Sequence, residues 1–354
     1  MSTPHDRMKI GAWIHGYDDV PLDEQVALAA ESGLETIRSY HLDYAEKVAP
    51  ALKQTGMSLL AGIPVDAAAL VRDWYSQVRL DELARYHELG VPLEAVCVGN
   101  ELREGGDEPD KKRFTARLSF GLANVIGAYR QWLDEHGYAT PLTYAMEGIV
   151  FDPAGYFNEW LWPLVDACDV VSLNLYPMGD EAWFTFGAFE ESRRFLSDAK
   201  TRHDRLALFE FQLRRALQAL EHADKPLILT ETGFPSAVGY HLEEAPSPPA
   251  PLPPQPPPMG GGEEGGRGGQ WVVPESDGAR YGEAMLEFAT MIRRANADYG
   301  GRIQALYFYE WRDNLHHAKI WNVEQSPIHV AFGLCDRFGV PKFPIQELVA
   351  TLQG

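Results

Sequence analysis

Two glutamates stand at the ends of short apolar runs in this 354-residue chain. Glu101 closes the run AVCVGNE, and Glu231 closes LILTE, directly before a turn at Gly233 and Pro235. A carboxylate at the end of a buried strand is costly unless it is paired or used. Two carboxylates facing one cleft can act as an acid that protonates a leaving oxygen and as a nucleophile that attacks the anomeric carbon of a sugar. The pair therefore indicates glycosidic chemistry.

The elements that would position these carboxylates alternate between short apolar runs and longer amphipathic stretches, a pattern typical of repeated βα units. Eight runs are predicted strands: 9–16, 36–42, 58–64, 95–101, 142–147, 170–177, 227–231 and 305–311. The stretches between and after them are predicted helices: 22–32, 44–55, 66–89, 110–136, 156–167, 181–222 as two helices, 279–298 and 344–353. Strands that are apolar throughout, with amphipathic helices between them, indicate a parallel sheet covered by helices.

Eight such units predict an α/β fold, a single (β/α)8 TIM barrel that spans residues 1–354 as one catalytic domain. The alternative is an open, doubly wound sheet. No GxGxxG follows the first strand, so a nucleotide-binding version of that sheet has no support.

The C-terminal ends of the strands carry the chemistry in a barrel of this kind. Polar and aromatic residues collect there: His15, Arg38, Tyr40, His41, Asn100, Glu101, Glu147, Asn174, Tyr176, Glu231, Glu310 and Trp311. Strands four and seven lie across the barrel mouth from each other, so Glu101 and Glu231 can share a cleft. Sugar rings stack on flat aromatic faces, and we expect Trp13, Tyr176 and Trp311 to provide them. A single glutamate at a strand end could equally serve a salt bridge or a helix N-terminus.

Five sequence segments resemble known motifs. AVCVGNEL resembles the strand-four motif of glycoside hydrolase clan A, and LILTETGFPS resembles the strand-seven motif of glycoside hydrolase family 17, the β-1,3-glucanases and glucanosyltransferases. Phe234 stands where that family has Trp. IRSYHLD, VVSLNLYP and AFGLCDRFGVPK are similar to three further segments of the family, so the resemblance runs from about residue 36 to 342.

The resemblance implies a retaining glycoside hydrolase that acts on a β-linked glucan, with β-1,3-glucan favoured, through a covalent intermediate and without a metal or other cofactor. It makes Glu101 the general acid/base and Glu231 the nucleophile. It also implies that Asn100 holds the sugar 2-hydroxyl and that Tyr176 hydrogen-bonds Glu231. The remaining residues expected to contact substrate are Arg38, Tyr40, Asn174, Glu310 and Trp311. Residues 307–317 lack the lysine of the family's strand-eight motif, so the outer subsites stay unassigned.

Three alternatives stay open. A transglycosylase shares the covalent intermediate and differs only in whether water or a sugar resolves it. A metal-dependent isomerase or lyase could use His15, His41, Glu147 and Glu231 as ligands, although their spacing does not enforce a site. A non-catalytic sugar-binding barrel would tolerate the loss of one carboxylate, and the presence of both counts against it.

The composition limits the partners. Thirty-one basic and fifty-one acidic residues give a net charge of −20, which disfavours nucleic acid and anionic membranes and leaves an oligosaccharide or polysaccharide as the expected partner. The N-terminus has no apolar signal region, so we expect a cytoplasmic protein. Cys97, Cys168 and Cys335 are predicted to be buried thiols. Nothing in the sequence indicates the oligomeric state.

One segment breaks the pattern after strand seven. Residues 246–258 contain nine prolines and residues 260–269 contain seven glycines. Such a composition cannot bury apolar area, so we predict that 245–269 is a disordered, low-complexity insertion in a βα loop. It is either a tolerated surface loop or a polyproline ligand for a partner.

Overall fold

The computed structural model describes residues 7–14, 20–104, 114–147, 161–177, 187–221, 223–244, 270–314 and 330–354. It contains ten strands in chain order: β1 Lys9–Trp13, β2 Thr36–Arg38, β3 Ser58–Ile63, β4 Leu93–Asn100, β5 Leu142–Glu147, β6 Val171–Asn174, β7 Leu227–Thr232, β8 Ala237–Glu244, β9 Gln270–Ser276 and β10 Ile303–Phe308. Strands β1 to β7 and β10 form a closed barrel in which every pairing is parallel. Each overlaps one of the eight predicted strands. The predicted TIM barrel is confirmed.

Ten α-helices are described: α1 Leu22–Glu31, α2 Leu42–Thr55, α3 Ala67–Arg72, α4 Leu80–Glu88, α5 Ala116–His136, α6 Trp162–Ala167, α7 Gly187–Ser197, α8 Ala199–Glu221, α9 Gly278–Asp298 and α10 Ile345–Gln353. The predicted pair of helices over 181–222 is confirmed as α7 and α8. The first residues of the helices predicted over 110–136 and 156–167 lie outside the described residues.

The single helix predicted over 66–89 is wrong, because the chain is interrupted at Asp73 and forms α3, a short 3₁₀ helix and α4 instead. Asp66 accepts a hydrogen bond from the backbone N–H of Ala69 and starts α3. Asp73 has an extended backbone and accepts from the N–H of Tyr75, which starts a short 3₁₀ helix. Aspartate side chains compete with the helical backbone in this way, so a helical periodicity that contains them is cut into pieces.

The apolar side chains form two buried clusters. The larger lies between the strands and the surrounding helices. The smaller comes from the strands themselves and fills the barrel interior: Leu60, Ala95, Cys97, Ala145, Val170, Ile228, Ala305 and Tyr307. All three cysteines are free and buried, as predicted. In the part of the chain that the structure describes, no helix is both long and apolar enough to cross a bilayer.

Strands β8 and β9 form an antiparallel hairpin outside the barrel, in register from Ala237 opposite Ser276 to Glu244 opposite Gln270. Helix α7 packs against it. The sequence analysis did not predict these strands, although AVGYHLEE and QWVVPES flank the proline-rich and glycine-rich segment directly. Residues 245–269 lie outside the described residues, so the prediction of a disordered insertion stays a prediction.

A buried ion pair ties the C-terminal part of the chain to the end of the barrel. The ammonium of Lys342 donates to Asp313 Oδ1 at 2.6 Å and to Ser236 Oγ at 2.6 Å. The two charged side chains are only 4% and 5% exposed. Burial raises the pKa of Asp313 to about 6, although Lys342 and the backbone N–H of Gly333 pull it down. A pair this deeply buried depends on each charge keeping its partner.

Candidate active site

Strands β4, β6 and β7 bring the two glutamates to one end of the barrel. Asn174, the last residue of β6, is in register with Glu231 on β7 and with Glu147 at the end of β5. Glu101 follows the last residue of β4 and has a left-handed backbone, with φ of 47°. Its N–H is bound to the carbonyl of Ala145 at 3.0 Å. Non-glycine residues rarely adopt this conformation, and they cluster at functional sites.

The turn after Glu231 requires glycine at position 233. Gly233 has φ of +137°, and a Cβ there would lie 3.0 Å from the carbonyl oxygen of Tyr309. A side chain would therefore face both a strained backbone and a contact with the segment after β10. Glycine is therefore required directly after the residues TET that end the strand.

Three donors converge on the carboxylate of Glu231. Arg38 donates to Oε1 at 2.8 Å, Tyr40 donates to the same oxygen, and Tyr176 donates to Oε2 at 2.6 Å. Burial raises the pKa of Glu231, and the charge and hydrogen bond of Arg38 oppose that effect. Three hydrogen bonds to a carboxylate favour its ionised form. The hydrogen bond from Tyr176 is the one that the family resemblance implies.

Arg38 is buried beneath the site rather than open to the cleft. Its guanidinium is 1% exposed and donates to the carbonyl of Thr230 at 2.8 Å and to Oδ1 of Asn100 at 2.9 Å, in addition to Glu231. It also lies 4.3 Å from the centre of the Tyr40 ring. Its described hydrogen bonds are all to the protein, and the expectation that it contacts substrate stays a prediction. Arg38 fixes the nucleophile candidate.

The side chain of Asn174 links Glu101 to Thr230, the residue that precedes Glu231. Its amide nitrogen donates to Oε1 of Glu101 at 2.9 Å and to Oδ1 of Asn100 at 3.0 Å. Its amide oxygen accepts from the hydroxyl of Thr230 at 2.8 Å. The side chain is 3% exposed, and the expectation that it binds substrate stays a prediction.

Thr230 belongs to the site and was missed by the sequence analysis. Its hydroxyl is a donor to the oxygen of Asn174, which leaves the nitrogen of that amide facing Glu101. The signal was present, because Thr230 is a polar residue inside an apolar strand and directly precedes Glu231. A buried hydroxyl needs a hydrogen-bond partner, and this strand position could have been read in that way.

Glu101 has different surroundings from Glu231. Burial and the nearby charge of Glu147 raise the pKa of Glu101 to about 7, while the hydrogen bond from Asn174 and the charges of Arg103 and Arg38 lower it. Glu101 is half-buried and Glu231 is 6% exposed. Burial raises the pKa of both carboxyls, but Glu231 accepts from three donors, which favour its ionised form, whereas the charge of Glu147 raises the pKa of Glu101 further. An acid and a nucleophile need surroundings that differ in this way.

Aromatic side chains line one side of the carboxylates. Trp13 stacks on Tyr309 with ring centres 4.8 Å apart and an interplanar angle of 23°. It meets Tyr40 edge-on at 4.6 Å, and Tyr309 meets Tyr176 edge-on at 6.3 Å. Trp13, Tyr40, Tyr176 and Tyr309 are all half-buried, so each keeps some exposed surface beside Glu231. Tyr309 was not among the predicted site residues.

The side chains of Glu310 and Trp311 are fully buried, and Trp311 belongs to the hydrophobic core. That they contact substrate stays a prediction; both follow the end of β10, which lies at Phe308. The backbone N–H of Trp311 holds this segment by donating to the carbonyl of Trp13 at 2.9 Å.

Metal ligands do not assemble in the described part of the chain, where no group of three His, Cys, Asp or Glu side chains lies close enough to hold an ion. His41 is exposed at the start of α2, and Glu147 is paired with Arg103. His15, the remaining member of the set, and the pair His316 and His317 lie outside the described residues. Among the described residues, the chemistry of the site rests on carboxyl, amide, guanidinium and phenol groups.

Three glycosidases of known structure share this fold. An endo-laminarinase from Formosa Hel1_33_131 aligns with a TM-score of 0.58 at 16% identity, over 93% of this chain and 83% of that one. A fungal β-1,4-galactanase aligns with a TM-score of 0.55 at 16% identity, over 97% of this chain and 99% of that one. A β-glucuronidase from Ruminococcus gnavus aligns with a TM-score of 0.58 at 14% identity, over 98% of this chain and 49% of that one. The chain has the fold of TIM-barrel glycosidases.

The sequence of this chain is far from the sequences of its structural neighbours. No protein-family profile and no curated protein matches it. The chain spans about half the length of the glucuronidase. At these identities the likeness concerns the fold, and the chemistry has to be argued from the residues of the site.

Proposed function

We propose that this protein is a retaining glycoside hydrolase that cleaves a β-linked glucan or oligosaccharide. The observation that carries the proposal is the contrast between the surroundings of the two glutamates. Glu231 accepts from three donors, and Glu101 accepts from Asn174 and has a pKa raised to about 7. Retaining enzymes need this combination, a nucleophile that is ionised and an acid that is protonated at the same pH.

Each step has a residue to perform it. Glu101 gives its proton to the glycosidic oxygen, and the bond between that oxygen and the anomeric carbon breaks as Glu231 forms a bond to the carbon. The leaving sugar departs as an alcohol, and the remaining sugar is held as an ester of Glu231. Glu101, now ionised, takes a proton from water, whose oxygen attacks the same carbon and releases Glu231. Arg38, Tyr40 and Tyr176 hold the Glu231 carboxylate in place.

Substrate binding in this proposal depends on the half-buried aromatic side chains and on Asn100. Trp13 and Tyr309 present stacked rings beside the nucleophile, which suits the apolar face of a pyranose. The oxygen of the Asn100 amide is held by Arg38 and Asn174, so its nitrogen is the group available to a sugar hydroxyl. A β-1,3-glucan is the favoured substrate because of the strand-seven resemblance and because one structural neighbour is an endo-laminarinase.

Laminari-oligosaccharides and aryl β-glucosides test the proposal together. We expect the wild type to release products that keep the β configuration. Glu231→Ala should lose turnover on every substrate, whereas Glu101→Ala should keep glycosylation of aryl glucosides whose leaving group needs no proton. Added azide should give a β-glycosyl azide with the Glu101 variant and an α-glycosyl azide with the Glu231 variant. Glu88→Ala, which changes an exposed glutamate on α4, is the matched control.

Three results would contradict the assignment. An inverted first product would exclude the covalent intermediate. Azides of the opposite configuration would exchange the roles of Glu101 and Glu231. Full turnover by both variants would remove the glutamates from the chemistry. Longer products formed from the oligosaccharides would instead show that a sugar, rather than water, takes up the glycosyl group.

A further inference from the structure

An ion pair that the proposed reaction does not use lies beside Glu101. Arg103 is two residues beyond Glu101, and its guanidinium pairs with the carboxylate of Glu147 at the end of β5. The side chains are 44% and 20% exposed. Glu147 is in register with Asn174, whose amide donates to Glu101. The pair is therefore held by the same strand ends that hold the carboxylates.

Glu147 and Glu101 also share a small cavity. Its volume is about 10 Å³, and the remaining lining is mostly apolar, from Leu102, Phe114, Tyr144, Met146 and Leu161. Charges that face each other across apolar surroundings interact more strongly than charges in water. The negative charge of Glu147 makes an ionised Glu101 less favourable, and the positive charge of Arg103 makes it more favourable.

We propose that Arg103 and Glu147 are positioning residues that act on the proton of Glu101 in opposite directions: the carboxylate of Glu147 favours protonated Glu101, and the guanidinium of Arg103 favours ionised Glu101. The other charged or titratable groups of the described residues that act on Glu101, or on which it acts, are Arg38 from β2, Tyr144 from β5 and Tyr309 after β10. None of these belongs to the pair.

The proposal makes a prediction that a structural ion pair does not. Breaking a purely structural pair from either side has one consequence, a small loss of stability, because both variants lose the same contact. Breaking a pair that acts on Glu101 has two opposite consequences. Glu147→Gln leaves the positive charge of Arg103 alone near Glu101, whereas Arg103→Gln leaves the negative charge of Glu147 alone.

The direct experiment is a titration of Glu101 in the full chain, by carbon-13 NMR of protein labelled at the glutamate side-chain carboxyl, with Glu101→Gln to assign its resonance. We expect the midpoint of Glu101 to fall by about one pH unit in Glu147→Gln and to rise by about one unit in Arg103→Gln. Glu147→Asp keeps the charge and should restore most of the shift. This measurement needs no substrate.

A second readout rests on the proposed function. The alkaline limb of kcat/KM should move in the same two directions, while KM changes little. Arg79 and Glu82 form the matched control, an ion pair at the start of α4 whose side chains are 39% and 23% exposed. Arg79→Gln and Glu82→Gln should leave the titration midpoint of Glu101 unchanged.

Shifts in the same direction, or no shift in either variant, would overturn the proposal, because the pair would then be structural only. Absence of turnover in the wild type on every β-glycoside would contradict the proposed function and leave the titration standing. The two failures are therefore distinguishable.

Discussion

The amide nitrogen of Asn174 donates a 2.9 Å hydrogen bond to Oε1 of Glu101. The amide is held in this orientation by its oxygen, which accepts from the hydroxyl of Thr230 at 2.8 Å and from the guanidinium of Arg38 at 3.5 Å. An asparagine amide can bind in two orientations, and the partner of its oxygen selects one of them. The orientation of a single amide on β6 thus decides whether Glu101 meets a donor or an acceptor.

Thr230→Val should weaken the acid function without removing the nucleophile. The valine has nearly the same shape and lacks the hydroxyl, so the Asn174 amide loses the shorter of the two contacts that orient it. We expect kcat to fall by about tenfold on substrates with poor leaving groups, equivalent to a hydrogen bond of about 1.4 kcal/mol, and to fall much less on activated aryl glycosides.

A matched control is available on β5. Thr143 is a buried threonine whose hydroxyl donates to Ser172 at 2.7 Å, away from both glutamates. Thr143→Val removes a buried hydroxyl as Thr230→Val does, so the two variants should lose similar amounts of stability. Thr143→Val should leave kcat unchanged on both substrate types. Equal losses of kcat in the two variants would show that the effect is general rather than exerted through Asn174.

The raised pKa of Glu101 predicts how activity depends on pH. Because the protonated form is the acid, kcat/KM should fall as the pH rises through about 7, the pKa to which burial and Glu147 bring this group. The pH dependence of kcat/KM between pH 5 and 9 measures this limb. A limb that stays near pH 7 in Glu101→Gln, measured on an activated substrate, would assign it to another group.

The same pKa predicts a dependence of stability on pH. A carboxyl whose pKa is higher in the folded state than in the unfolded state binds more protons when folded, so its contribution falls as the pH rises from about 4.5 to about 7. Glu101→Gln removes that loss. We expect the variant to have a higher Tm than the wild type at pH 8 and no advantage at pH 4, as measured by thermal unfolding.

Strand positions were predictable because they depend on local sequence. The alternation of apolar runs and amphipathic stretches located all eight barrel strands, since burial on both faces makes each run continuously apolar. The error over 66–89 arose because Asp73 binds a nearby backbone N–H group, which periodicity does not reveal. The β8–β9 hairpin was missed because its strands border a segment of low complexity.

Contacts within the site were less predictable than its location. The rule that the chemistry lies at the C-terminal ends of the barrel strands identified Glu101, Glu231, Tyr40 and Tyr176. The structure brings these residues to one end of the barrel. The rule could not tell that Arg38 turns beneath the cleft, since that depends on which distant groups compete for its donors. Glu310 and Trp311 are buried beyond the end of β10, because the last barrel strand ends three residues earlier than predicted.

Lys342→Met should destabilise the fold strongly at alkaline pH. The substitution leaves the carboxylate of Asp313 buried without its ammonium partner, and such losses cost about 3–5 kcal/mol. The penalty should shrink as the pH falls and Asp313 takes up a proton. Denaturant unfolding at pH 8 and pH 5 measures both effects. Adding Asp313→Asn to the variant should recover part of the loss at pH 8, and no recovery would mean that the contacts of Lys342 with Ser236 and Ala331 matter more than its charge.

Replacement of residues 245–269 by a short Gly-Ser linker should be tolerated. Glu244 and Gln270 are paired across the hairpin, so the linker joins two chain ends that are already adjacent. We expect Tm to stay within a few degrees and turnover of short oligosaccharides to stay within about threefold. Val273→Asp, in the buried part of the hairpin, should by contrast lower Tm. A collapse of turnover in the linker variant would show that the replaced segment packs over the site.

Phe234 stands where the resembling family carries tryptophan, and its surroundings explain the exchange. The ring is fully buried, 4.7 Å from Phe195 and 5.5 Å from Tyr281, so it packs in the core and faces no sugar. Its two neighbours in the motif are restrained differently, Gly233 by its backbone angle and Glu231 by its donors. A motif used to find distant homologues of this chain should therefore fix the glutamate and the glycine, and accept any large aromatic side chain at the next position.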